Sequence, residues 1–431
     1  MNGPLSLNTI NTPFQSPDDI PEDKCFSDTF LESQDLENGS IQNLISQREY
    51  GLIYSWNSSC SNKLIPNTFF SEKADFDSWA YNGQFSPTGN IYCCTSKRQI
   101  KIFNTVDPFN WTLQRFLTTD DPFWAYTDMD ISPCEKFIIL CSVDPKLRLA
   151  TVENNATSDN MHFDSISSYD EVNADTGIFS VKFSGDGSSV IFSTNRKSIV
   201  LYDLIKRQNI INLQKAHDDD VNSICFLDPE KENIVVSGSD ESCIKIWDMR
   251  CLNSDGSAHG VLIGHREGIT HVAPHSNGIS LISNSKDQTL KLWDIRTITS
   301  QKAYIDFKRS HRYQTYFDYR WEDYPLRNYR KRLSADSSLL TFKRHTVRKT
   351  CIKCYFSPLF TTGNRFIYSG SCEGNVYIFD SITGKTVRIL EDTVRVLPPE
   401  KKLVRDVSWH PFIPLICATS FRRKILSYSF L

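Results

Sequence analysis

An internal repeat constrains this chain more than any other feature. From about Thr68 onward, short runs of β-branched and aromatic residues alternate with turns of Ser, Gly, Asn and Asp, the texture of strands bounded by tight turns. One landmark, an apolar strand running into a turn, recurs at Gln84–Gly89, Met129–Pro133, Val181–Gly187, Ile224–Pro229, Cys354–Pro358 and Val407–Pro411, with a degenerate copy at Ile269–Pro274. Each copy is followed by a second strand, a small-residue turn and a third strand. The third strands are Gln99–Phe103, Lys146–Leu149, Ser198–Asp203, Ile244–Asp248, Leu290–Asp294, Val376–Asp380 and Lys424–Tyr428. That makes seven units.

A four-stranded unit cannot bury both of its faces alone, so the units must stack radially and close. The expected fold is all-β, a seven-bladed β-propeller in which roughly 365 residues, 68–431, form one domain. Residues 1–67 differ: Pro4, Pro13, Pro17 and Pro21 among polar residues predict a mostly disordered N-terminal extension. Within it, Ile41, Leu44, Ile45 and Arg48 follow helical spacing after Ser40, so a short helix is expected around Ile41–Tyr50. A formal charge of -3 predicts no bulk attraction to nucleic acid or anionic membrane. No apolar run reaches the roughly 18–20 residues of a membrane span, and Met1–Phe14 lacks the pattern of a secretory signal. The 13 scattered Cys fit reduced thiols rather than a disulfide framework. The expected setting is intracellular, nucleus and cytoplasm.

The fourth and fifth units carry a finer pattern. Trp247 and Trp293 end their third strands about 46 residues apart, and each is followed by Asp. His265, Ser283, Asp287 and Trp293 resemble the structural tetrad of WD repeats, in which Asp and Ser orient a His ring and the Trp indole donates a hydrogen bond. The fourth unit offers His217, Ser237 and Trp247, with Glu241 where Asp is usual. The remaining blades lack the Trp-Asp ending, so their tetrads are expected to be absent or partial.

The same two units hold longer matches. Val235–Arg250 (VVSGSDESCIKIWDMR) resembles a complete "DWD box", and Leu281–Arg296 (LISNSKDQTLKLWDIR) matches it apart from Asn284, where a smaller residue is usual. Propellers with this box resemble substrate receptors of the cullin-four ubiquitin ligases. The resemblance implies docking on the adaptor called damaged-DNA-binding protein one, through Asp248, Arg250, Asp294 and Arg296. An Arg suits that role because its planar fork makes bidentate bonds in a desolvated contact. Further stretches, among them Ala216–Asn222, Phe317–Trp321, Asp336–Thr341 and Arg405–Pro411, resemble the family of the eleventh DDB-one- and cullin-four-associated factor, grouped with plant LEC-fourteen-B-type proteins.

Between the fifth and sixth blades the sequence places a basic, aromatic insertion, 297–344. It is too long for an ordinary blade connection. Three uses are open to it: a loop folded over the propeller with Trp321 as its anchor, a surface for a protein partner, or a base-stacking, phosphate-neutralising segment. Arg327–Arg332 could also serve nuclear import. The acidic run Asp218–Asp220 reads as a solvated turn. His271 and His275 are four apart, but Pro274 denies them a helix. Cys351 and Cys354, the one C-x-x-C, lack a second pair at zinc-ribbon spacing. No metal, cofactor or catalytic constellation is expected.

The leading expectation is therefore a non-enzymatic substrate receptor of a cullin-four ligase, presenting an unidentified protein for ubiquitination and proteasomal degradation, with no membrane partner and no nucleic acid. A general WD scaffold in an RNA- or chromatin-associated complex is the alternative. A propeller enzyme would require acids or His converging on the central channel.

Overall fold

The structure, a computed structural model, describes residues 64–118, 125–152, 164–167, 176–228, 231–251, 257–311, 318–325, 333, 335–391 and 399–430. Residues 1–63 of the extension, with the helix expected around Ile41–Tyr50, and the basic residues Arg327–Arg332 lie outside these.

Seven four-stranded antiparallel sheets form the blades of a β-propeller. In blades one to six the strands follow chain order from the channel outward. Blade seven takes its inner three strands from 404–429 and its outer strand from Thr68–Asp75, which pairs with Lys424–Ser429. The ring is thus closed by the two ends of the described chain. Inside, Gly83 N donates to Asp406 Oδ2 (3.2 Å) and Phe85 N to Ser408 Oγ (3.0 Å), joining blade one to blade seven again.

Alternation along each strand sends one set of side chains to each neighbouring blade, so an apolar cluster forms at every interface. Ile102 meets Met129 between blades one and two, Ile139 meets Val181 between two and three, and Ile191 meets Ile224 between three and four. Val236 packs with Val272, Ile282 with Ile367, Tyr368 with Trp409, and Cys417 with Tyr92. Leu64 and Ile65, ahead of the first strand, are buried as well, Ile65 in the cluster between blades six and seven.

The insertion lies within blade five, not between blades five and six. Leu340–Phe342 pairs with Leu290–Leu292 and is the outer strand of blade five, so 297–339 separates that blade's third and fourth strands. The sequence could not place this strand because three residues are too few to show a period of two. A helix at Gln301–His311 buries Phe307 against Cys243, Val261 and Ile263 of blade four. Among the described residues, no helix is long and apolar enough to cross a membrane.

Candidate functional site

In blade five, Trp293 Nε1 donates to Ser283 Oγ at 2.8 Å, Ser283 Oγ lies 2.6 Å from His265 Nε2, and His265 Nδ1 lies 3.0 Å from Asp287 Oδ2. Burial pushes the Asp287 carboxyl up, but the His265 ring, Thr289 and the Arg266 amide outweigh it and hold it down at about 2. An ionised Asp287 fixes the proton on Nδ1, so Nε2 accepts from the Ser283 hydroxyl. Blade four repeats the chain with Trp247 to Ser237 (2.9 Å), Ser237 to His217 (2.6 Å) and His217 to Glu241 (2.5 Å). The longer Glu241 side chain reaches the ring and is joined by Lys245 at 3.1 Å.

Strand register explains where such chains stop. Ser237 pairs with Lys245 and Ser283 with Lys291. The equivalent positions in blades one, two, three, six and seven are Cys94, Leu140, Phe192, Ser369 and Ala418. Trp247 and Trp293 correspond in the same way to Phe103, Ala150, Tyr202, Phe379 and Tyr428. Asn284, the departure in the second box, bridges to blade six: it donates to the Ile352 carbonyl (3.1 Å) and meets His345 Nε2 at 2.8 Å. Blade four has Gly238 at that position, where a Cβ would lie 2.6 Å from Ile269 Cγ2.

Arg250 and Arg296 follow the third strands of adjacent blades and therefore share one face of the ring. Each forks onto the Asp two residues earlier. Arg250 Nε and Nη2 reach Asp248 at 3.0 and 2.7 Å, and Arg296 Nε and Nη2 reach Asp294 at 3.0 and 2.5 Å. The side chains remain 61% and 72% exposed, so both forks are oriented yet open to a partner. The Arg250 guanidinium holds the Asp248 carboxyl down at about 2.

Charged residues do converge on the channel. Lys353 Nζ lies 2.6 Å from Asp128 and 3.2 Å from Asp406, while Lys182 lies 3.1 Å from Asp128 and 3.9 Å from Asp130. Tyr355 donates to Asp406 (3.1 Å) and Ser180 to Asp128 (2.8 Å). Burial raises the Asp128 carboxyl, but the two ammonium groups outweigh it and hold it far below the usual carboxylate range. These groups come from blades two, three, six and seven, with two ammonium groups set among three carboxylates. His217, Glu241 and Cys243 also gather with ligand atoms within 4.8 Å. Both His217 nitrogens are already engaged there, and the Lys245 ammonium competes for Glu241.

On the face opposite Arg250 and Arg296, the channel opens into a cavity of about 930 Å³. The insertion roofs part of it through the turn Asp318–Glu322. Tyr319 anchors this turn: Lys286 Nζ sits 4.4 Å from its ring centroid, and its carbonyl accepts from Lys349 N at 3.1 Å. Trp321, the anchor in one of the three readings open to the insertion, is 79% exposed. The two rings are neighbours in one tight turn, and the turn directs only one of them inward. Of the acidic run, Asp218 and Asp219 are exposed and Asp220 is half-buried; Asp219 and Asp220 both line the cavity.

These features define a WD-type β-propeller. Residues 126–289 match the family model described as nucleolar protein 10-like, N-terminal domain. The chain is 38% identical over 357 residues to the LEC14B protein of Lithospermum erythrorhizon, covering 81% of this chain and 72% of that one. It is 36% identical over 364 residues to the LEC14B homolog of Prunus armeniaca, with the same coverage. The chain belongs to the LEC14B family. A DDB1- and CUL4-associated factor 11 homolog of Caenorhabditis elegans is 36% identical over 236 residues, 54% of this chain and 39% of that protein.

Proposed function

We propose that this chain is a substrate receptor of a cullin-four ubiquitin ligase, docking on a DDB1-type adaptor through Asp248, Arg250, Asp294 and Arg296. The carrying observation is the pair of exposed, Asp-oriented guanidinium forks on adjacent blades of one face. Pre-orientation by Asp248 and Asp294 lowers the ordering cost of binding. The names of the factor 11 relatives point the same way. Ubiquitin transfer belongs to other subunits; this chain supplies proximity by holding a target near them. The mutual pairing of Asp128, Lys182, Lys353 and Asp406 favours this role over catalysis in the channel.

The test is co-purification of the adaptor with Arg250→Glu/Arg296→Glu. Two exposed side chains are changed, so the melting temperature should hold while adaptor capture falls by more than about tenfold. Full capture by a folded double variant would refute the docking assignment.

A further inference from the structure

We propose that the cavity at the channel mouth is a peptide-binding site whose acidic wall receives a lysine or arginine side chain. The volume of about 930 Å³ suits a few residues of an inserted segment. The wall on the side of blades four and five carries the exposed Asp219 together with Asp220, Asp240 and Glu267. Lys286 reaches both oxygens of Asp240, at 2.7 and 2.8 Å, and among these carboxylates pairs directly with that one. The Asp220 and Glu267 carboxylates have no hydrogen-bond or ion-pair partner among the described residues. Burial, then repulsion from neighbouring carboxylates, raises Asp220 to about 6 and Glu267 to about 7. Lys286, with Lys197 at Asp220 and Arg266 at Glu267, offsets this only in part, so an incoming cation would stabilise both half-buried acids.

A second observation points to the rest of the ligand. His271 lines the same cavity, is 4% exposed, and accepts from Cys354 N through Nδ1 at 3.4 Å. Its Nε2 has no partner among the described residues. Burial, reinforced by the Lys353 ammonium, keeps the ring neutral. Nε2 therefore carries the proton and can donate to a backbone carbonyl of a bound segment. Lys97 of blade one and Arg405 of blade seven line the cavity across the channel from blades four and five. Gly268 makes the acidic wall possible, since a Cβ there would lie 2.2 Å from Asp240 Oδ1 and 3.0 Å from its Cα. The wall faces away from Arg250 and Arg296, so both faces can be occupied at once.

As a statement about ligase cargo this rests on the adaptor reading; as a statement about binding it does not. The test uses the full chain and fluorescein-labelled nonapeptides of Gly and Ser carrying one central Arg, Lys, Gln or Glu, read by fluorescence anisotropy. The Arg or Lys peptide should bind at least about tenfold tighter than the Gln peptide, and the Glu peptide weakest. Asp220→Asn/Glu267→Gln, which keeps shape, should erase that preference, whereas neutralising the exposed Glu391 outside the cavity should not. Equal binding of all four peptides, no binding of any, or a preference that survives the double variant would overturn the proposal. Arg250→Glu/Arg296→Glu should retain the preference, so failure here is separable from failure of adaptor docking.

Discussion

Replacing Ser283 by alanine removes one oxygen that serves two buried rings. Ser283 accepts from Trp293 Nε1 and donates to His265 Nε2, and both rings are 0% exposed. Water cannot replace either bond without opening the interface between blades four and five. Each stranded polar group costs about 1–3 kcal/mol, giving roughly 2–6 kcal/mol for the substitution. Against a total stability of about 5–15 kcal/mol, that is a large fraction. The internal control is Ser369, at the same register position in blade six, whose hydroxyl donates to the Lys353 or Gly370 carbonyl and accepts a long bond (3.4 Å) from Asn284 Nδ2, which keeps the Ile352 carbonyl as its nearer partner. Ser369→Ala strands no ring nitrogen and should cost about 1 kcal/mol or less. Urea titration followed by tryptophan fluorescence measures both, with m-values compared to establish that the same transition is seen. Equal losses for the two variants would refute the reasoning that a paired His–Ser–Trp chain, rather than a serine in a second strand, holds the orthodox blades.

Two other perturbations probe the channel. Lys353→Met leaves Asp128 and Asp406 facing one another with one counter-ion removed, and should cost about 3–5 kcal/mol in urea titration; a loss under about 1 kcal/mol would mean that the network does not tie the ring together. Glu267→Gln tests the acidic wall by pH. Burial first, then Asp287 and Asp240, raise Glu267 from 4.5 to about 7, against the pull of Lys286 and Arg266. A raised pKa makes the folded state bind the proton more tightly, so this stability term is complete below about pH 4.5 and lost as pH rises through about 7. It amounts to at most about 3 kcal/mol, reduced by partial solvent screening. The variant should therefore gain on the wild type between pH 5 and 8 in thermal melts, and a gap that narrows over that range would exclude the assignment.

The repeat was legible because every blade reuses one local pattern: an apolar inner strand, a turn, and two strands of period two. What the sequence hid was set by partners distant in the chain. Thr68–Asp75 closes blade seven, yet it is an outer strand with mixed exposure and no turn landmark, so nothing local marks it. The tetrads of blades four and five were readable from His, Ser and Trp spacing. That the matching positions elsewhere are Cys94, Leu140, Phe192 and Ala418 required the pairing register. Asp128 and Lys353 are 225 residues apart, and no motif relates them. The insertion was visible as an anomaly in length, but the choice between Tyr319 and Trp321 as its anchor depends on the direction of one turn.

The irregular and orthodox blades divide the work of the ring. Where the tetrad residues are missing, cohesion comes from the channel: Lys353 binds acids of blades two and seven, and Arg405 donates to the Tyr81 and Thr127 carbonyls of blades one and two at 2.9 and 2.7 Å. Where the tetrads are complete, the sheets are stiffened from within, and their turns are free to carry exposed charge. Blades four and five present Arg250 and Arg296 at one end of their third strands, while Asp240 and Lys286 open those strands' hairpins at the other. A load on one face is thus borne by the same two sheets that shape the cavity on the other. The insertion adds to this, since its helix braces blade four and its Tyr319 turn roofs the cavity. If adaptor and peptide occupy opposite ends of these two stiff sheets, the distance between them is fixed by a six-residue strand and not by a flexible linker. That is the geometry a receptor needs to hold a target at constant reach from the ligase.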